Sequence, residues 1–240
     1  ADPAPIIHTL MADPTLDERY RLDGIVTTID ACHGSGQLDA HPESVKQAAV
    51  ADRIVLTKAD LAGSETVARL RQRLAVLNPG ASVIAAEHGD VAPAALFDAG
   101  LFDPRTKTAD VEKWLNEEAY ARRHHGHDHH DVNRHDARIQ AFCLTADQPI
   151  AWERFAEWIE MLLSTQGDNI LRVKGILNVA GADTPIAIHG VQTMFHPPTA
   201  LPAWRSADRR SRIVFITRDL GQGAIEQSFR AFVTDPRAAE

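Results

Sequence analysis

Ile54-Val55-Leu56 is a short aliphatic run that stops abruptly at Thr57-Lys58-Ala59-Asp60, and no other stretch constrains the fold as much. Continuous apolar character without polar alternation marks a strand buried on both faces, the habit of parallel sheets. A β-rich run at residues 22–30 precedes it, a helical pattern at 64–77 follows, and another β-rich run occupies 82–86. That rhythm of strand, helix and strand predicts a doubly wound α/β domain. The C-terminal end of such a strand opens into the ligand crevice, so Thr57, Lys58 and Asp60 are the first candidate site residues.

Their chemistry suits a guanine base. The Asp60 carboxylate can accept two hydrogen bonds, from the ring N1–H and the exocyclic amine of guanine, a pairing adenine cannot return. The Lys58 stem can lie along the base plane while its ammonium stays hydrated. The alternative is local: Lys-Ala-Asp-Leu starts the next helix, with Asp60 as its N-cap.

The flanking sequence fills in the domain. Residues 4–12 carry Ile6, Ile7, Leu10 and Met11 at helical spacing, and 43–51 form a helix that leads into the central strand. In 64–77 the stripe Val67, Leu70, Leu74 and Leu77 faces inward, and Asn78-Pro79-Gly80 ends the helix. The loop 87–89 lies where backbone N–H groups could make a second base contact. Helices at 93–99 and 111–120 close the domain. Between the first two strands, Gly34 and Gly36 read as a flexible turn rather than a phosphate cradle, because no Gly-x-x-x-x-Gly-Lys-Ser/Thr pattern occurs in the chain. The same turn lacks the third glycine that a dinucleotide-binding oxidoreductase would need.

Charge narrows the partners. With 33 acidic against 25 basic residues the formal net charge is -8, which argues against general nucleic-acid binding. No apolar stretch approaches the roughly 20 residues needed to span a bilayer. Cys32 and Cys143 lie far apart, so a disulfide framework is not expected and a reducing cytoplasm is the default location.

Residues 122–136 change character, Arg-Arg-His-His-Gly-His-Asp-His-His-Asp-Val-Asn-Arg-His-Asp, with almost nothing to bury. They read as a mobile linker. His124, His125, His127, His129, His130 and His135, with Asp128, Asp131 and Asp136 nearby, suit exchangeable binding of Zn²⁺, Co²⁺ or Ni²⁺; the alternative is a solvated linker with incidental metal affinity. Beyond it, strands at 137–145, 170–179, 185–191 and 212–217 with helices at 152–163 and 224–232 predict a compact α+β domain, ferredoxin-like in part. Cys32 with His33, and His189 with His196, are possible ligand pairs but read first as a buried thiol and core histidines. Arg209, Arg210 and Arg212 would meet an anionic partner or line a solvated strand edge. Trp152, Trp158 and Trp204 read as core or interface residues.

These segments resemble a family. Residues 50–61, Leu171-Arg172-Val173-Lys174-Gly175-Ile176-Leu177-Asn178, His189-Gly190-Val191-Gln192, Trp204 and the run 208–217 are similar to the CobW-type GTP-binding metallochaperones, relatives of the nickel-handling GTPases of hydrogenase and urease maturation. The resemblance implies an α/β fold that is part of a P-loop GTPase-like parallel sheet at 1–121, the His-rich linker at 122–136, and a smaller α+β CobW C-terminal-like domain at 137–240. It also implies GTP with Mg²⁺, Zn²⁺ or Co²⁺ as cargo, a client metalloprotein as partner, and delivery for a purpose such as cobalamin synthesis. Where similar proteins have Asn in the guanine motif, Thr57 stands here.

Similar proteins carry a phosphate loop, a cysteine metal motif and an acidic motif ending in Ala-Asp-Pro. Ala1-Asp2-Pro3 looks like that tail, so the resemblance places the phosphate and best metal ligands upstream and implies no hydrolysis by this chain alone. The competing class is a non-enzymatic metal-binding and interaction module on a GTPase-like scaffold. The sequence leaves open the metal, the client and whether the chain forms a homo-oligomer.

Overall fold

The aliphatic run lies at the centre of a three-stranded parallel sheet. The computed structural model describes residues 1–20, 22–97, 138–204 and 206–234. The chain divides into two compact units, Ala1–Ile139 and Gln140–Glu240. In the first, strands β1 (Val26–Asp30), β2 (Arg53–Thr57) and β3 (Ser82–Ala86) pair in the order β1-β2-β3. Ile54, Val55 and Leu56 are buried on both faces of β2, as their unbroken apolar run requires. β1 begins only at Val26 and not at residue 22. Upstream of it the Ile25 main chain is held by Asp52, whose carboxylate accepts from Ile25 N–H at 2.9 Å and whose own N–H donates to the Ile25 carbonyl at 2.8 Å.

Helices α1 (Ala4–Ala12), α2 (Pro14–Asp17), α3 (Gly34–Ala40), α4 (Pro42–Val50) and α5 (Ser64–Leu77) complete the described part of this unit, with a 3-10 turn at Pro93–Ala95. The expected helix at 93–99 is thus only that turn as far as residue 97. The stripe of α5 is buried at Leu70, Leu74 and Leu77, with Val67 partly covered. Gly34 and Gly36 are not in a flexible turn but in the first turn of α3. A Cβ on Gly34 would stand 2.6 Å from the Ile29 side chain and 3.1 Å from that of Leu70, so this glycine permits close helix packing.

Asn78 does more than end α5. Its buried amide donates towards three carbonyls at the end of α4, those of Ala48 (3.0 Å), Ala49 (3.0 Å) and Ala51 (2.8 Å). These are groups that a helix terminus leaves without intrahelical donors. Asn78→Ala removes the donor and leaves buried acceptors behind, so the opening free energy of the β2 amides in native-state hydrogen exchange should fall by about 2 kcal/mol. A fall of only a few tenths would mean that water replaces the amide.

The second unit is a sheet in the order β4-β9-β5-β6-β7, built from β4 (Ile139–Ala146), β5 (Ile170–Leu177), β6 (Ile186–Val191), β7 (Met194–Phe195) and β9 (Ser211–Arg218); β8 (Thr199–Ala200) also pairs with β6. β5 runs antiparallel to both β6 and β9. Helix α6 (Trp152–Gln166) joins β4 to β5, and α7 (Gln222–Phe229) follows the last strand and passes into a π-helical turn at Arg230–Thr234. Because α7 follows the sheet instead of joining two of its strands, the ferredoxin likeness stops at the first β-α-β unit.

One face of this sheet packs on the helices through Phe142, Leu144, Val173, Leu177, Ile213 and Phe215 against Phe155, Trp158, Ile159, Leu162, Ile225 and Phe229. All eight residues of β5 are buried, Arg172 and Lys174 included. Trp158 is the core tryptophan, Trp152 packs at its margin, and Trp204 is half-buried.

Among the described residues no helix is long and apolar enough to cross a membrane. The expected helix at 111–120, the His-rich segment 122–136 with its six histidines, and residue 137 lie outside the described residues.

Candidate functional site

Parallel pairing brings three strand ends to one edge. In register, Asp30 of β1, Thr57 of β2 and Ala86 of β3 are neighbours, so the loops that follow them share the C-terminal edge of the sheet. The sequence-predicted trio sits in the middle loop. Thr57 Oγ1 donates to the Ile29 carbonyl at 3.3 Å, bracing β2 against β1. Lys58 has a left-handed backbone (φ 57), which costs a non-glycine residue about 1–2 kcal/mol and re-aims its side chain out of the strand direction. Asp60 is exposed, and its carboxylate meets no hydrogen-bond donor among the described residues. It is not a helix cap, because α5 starts at Ser64 with Gly63 as its N-cap.

Sequence reasoning missed Asp30. Its Oδ1 accepts from the N–H groups of Cys32 (2.7 Å) and His33 (3.2 Å), and its Oδ2 accepts from Lys58 Nζ at 2.7 Å and lies 3.3 Å from His33 Nδ1. The Lys58 ammonium, more than the backbone donors, holds the Asp30 carboxyl well below the usual carboxylate range, against a smaller opposing effect of burial. The same contact raises Lys58. Both groups are therefore charged throughout the physiological range. The signal was available: an Asp at a strand end followed two and three residues later by free N–H groups is an Asx turn.

The neighbouring loop turns tightly. His88 (φ 50) and Gly89 (φ 82) are both left-handed, and Asp90 N–H donates to the Glu87 carbonyl at 2.8 Å, the pattern of a primed turn. Cys32 is exposed and not a buried thiol; its Sγ lies 3.9 Å from the Lys58 carbonyl. Neither Cys32 nor Cys143 forms a disulfide.

Elsewhere the candidates resolve differently. His189 and His196 are buried with rings stacked at 4.9 Å, and His196 N–H donates to the His189 carbonyl at 2.9 Å. Arg210 and Arg212 both pair with Asp208, so the basic cluster is largely an internal network. Arg210 is the main reason the Asp208 carboxyl lies well below its ordinary value. Among the described residues, no group of three or more His, Cys, Asp or Glu could hold a metal ion.

Two family models match in succession along the chain: the CobW/HypB/UreG nucleotide-binding domain over residues 1–85, and the cobalamin synthesis protein cobW C-terminal domain over residues 139–233. The zinc chaperone YjiA of Escherichia coli (strain K12) is 31% identical over 229 residues, which are 95% of this chain and 67% of that protein. The chain belongs to the CobW/HypB/UreG family. Its kinship extends to the zinc-regulated GTPase metalloprotein activator 1 of Saccharomyces cerevisiae, 24% identical across 96% of this chain and 59% of that protein. The Zn(II)-bound YjiA GTPase crystal structure from E. coli superposes with a TM-score of 0.74 at 29% identity, covering 97% of this chain and 68% of that one. This CobW-family chain thus spans about two thirds or less of the length of these relatives. The expected architecture, a GTPase-like parallel sheet followed by a CobW C-terminal domain, is the one it has.

Proposed function

We propose that this chain serves a GTP-linked zinc metallochaperone. The carrying observation is Asp60, an exposed carboxylate two residues past an anchored lysine at the C-terminal edge of a parallel sheet. In this reading Asp60 selects guanine, Lys58 covers one face of the base, Thr57 braces the loop, and the turn at 87–89 adds backbone donors. The described loops supply an acceptor and a lysine stem of the chemistry a guanine base would call for, which supports the reading. GTP would bring Mg²⁺ with its phosphates.

Zinc is the cargo favoured by the names of the relatives, a zinc chaperone and a zinc-regulated GTPase metalloprotein activator. His124, His125, His127, His129, His130 and His135 are the residues of this chain whose chemistry suits its capture. Imidazole also takes Co²⁺, and the cobalamin-synthesis name of the C-terminal family model favours cobalt as the second reading. The division of labour follows the segments 1–121, 122–136 and 137–240, with the last engaging a client metalloprotein. Nucleotide state would alter metal or client affinity through a two-state segment, and hydrolysis would reset it.

Equilibrium dialysis against zinc, alone and in competition with cobalt, tests the cargo. Replacing the six histidines with alanine should reduce bound zinc at least about tenfold, with GDP binding intact. Unchanged zinc binding would remove the tract from the function. Zinc binding without any preference of the chain for GDP over ADP would instead favour the metal-binding module on a GTPase-like scaffold.

A further inference from the structure

We propose that Asp30 is a positioning residue for the base site: it anchors Lys58 so that the lysine stem is held across the C-terminal edge of the sheet as a preformed wall for a guanine base. This rests on the guanine reading above. Three features of the structure carry it. The Asp30 carboxylate is itself fixed, by N–H groups of Cys32 and His33 on one oxygen, which leaves the other for Lys58 Nζ at 2.7 Å. Only one of the two partners therefore loses much freedom when the pair forms, unlike the exposed Glu65–Arg69 pair at 3.8 Å, where both would.

Next, the strand register sets Asp30 beside Thr57, so the anchor reaches Lys58 from the neighbouring strand and not along its own loop. Finally, the left-handed turn at Lys58 and its ion pair fix the two ends of the stem, while Asp60, two residues on, is left open to a ligand. A lysine so held need not be ordered when the base arrives, and it does not swing its ammonium onto the Asp60 carboxylate that the base must meet. Avoided ordering of one long side chain corresponds to about three- to tenfold in affinity.

A double-mutant cycle on the 240-residue chain tests this, with GDP titrations followed by NMR shifts of residues 57–60. Asp30→Asn keeps the shape and an acceptor for the two N–H groups but removes the charge. It should weaken GDP about three- to tenfold, and Asp30→Glu should recover part of that loss. Lys58→Met should also weaken GDP, and adding Asp30→Asn to Lys58→Met should cost nothing further.

A merely structural Asp30 would weaken binding as much without Lys58 as with it, and that additivity would overturn the proposal. Asp60→Asn separates the two layers of inference. GDP shifts unchanged by Asp60→Asn, or no different from those that ADP produces, remove the guanine reading and this role with it. Loss on Asp60→Asn beside an unaffected Asp30→Asn removes the positioning role alone.

Discussion

Trp158→Ala should destabilise the C-terminal unit by about 4 kcal/mol, among the larger costs a single core truncation can have. The indole is fully buried and sits among three phenylalanine rings, Phe155 at 5.8 Å, Phe215 at 6.2 Å and Phe229 at 5.0 Å between centroids, the last two edge-on. Edge-to-face contacts of this kind add to the burial itself. These rings come from α6, β9 and α7, so the cavity left by alanine would be lined by several elements and could not collapse by moving one.

The indole N–H is also placed, donating to Ser228 Oγ at 3.1 Å, which in turn donates to the Ile225 carbonyl at 2.9 Å. Trp158→Phe separates the contributions: it keeps an aromatic ring and should cost about 1–2 kcal/mol. Native-state exchange of the β5 and β9 amides gives both numbers. A Trp158→Ala cost below about 1 kcal/mol would mean that this cluster is not the core of the unit.

How far such a core could be read in advance varies by residue. The helix expected at 152–163 carries Phe155, Ile159 and Leu163 a turn apart, yet Leu163 is only partly buried while Trp158 and Leu162 are buried beside Phe155 and Ile159. Strand β2 was legible because both of its faces are apolar. β5 was legible too, but not the burial of Arg172 and Lys174, since charge in sequence signals exposure and only the sheet reveals cover. The two-residue strands β7 and β8 are too short to carry a period.

Asn78 and Gly34 show a deeper limit. Each was read from its neighbours in sequence, as a helix stop and a turn, whereas its role is set by residues about 30 positions away or on adjoining elements. Asp30 is the same case at the site. Thr57, Lys58 and Asp60 lie within four residues and could be found by pattern, but the carboxylate that holds Lys58 comes from another strand, 28 residues earlier.

Asp60→Asn should turn the base preference of the chain from guanine to xanthine. Guanine presents two donors, N1–H and the exocyclic amine, and a carboxylate offers an acceptor to each. Asparagine replaces one acceptor with an NH₂ donor, which faces a guanine donor and leaves it unpaired. Losing one charge-assisted bond and opposing two donors should weaken GDP about a hundredfold. Xanthine carries a carbonyl where guanine carries its amine, so the asparagine amide can donate to it while its carbonyl accepts from N1–H.

The gain for XDP is the decisive half of the prediction. Simple damage would weaken every nucleotide, whereas a base contact exchanges one for another. Asp60 is exposed and contacts no donor among the described residues, so the substitution should leave the fold and the Asp30–Lys58 pair undisturbed. Titrating the variant with GDP, XDP and ADP, and comparing β2 amide exchange with that of the parent chain, checks each part. Equal affinity of parent and variant for GDP would show that Asp60 does not touch the base. The C-terminal edge of the sheet would then need another ligand.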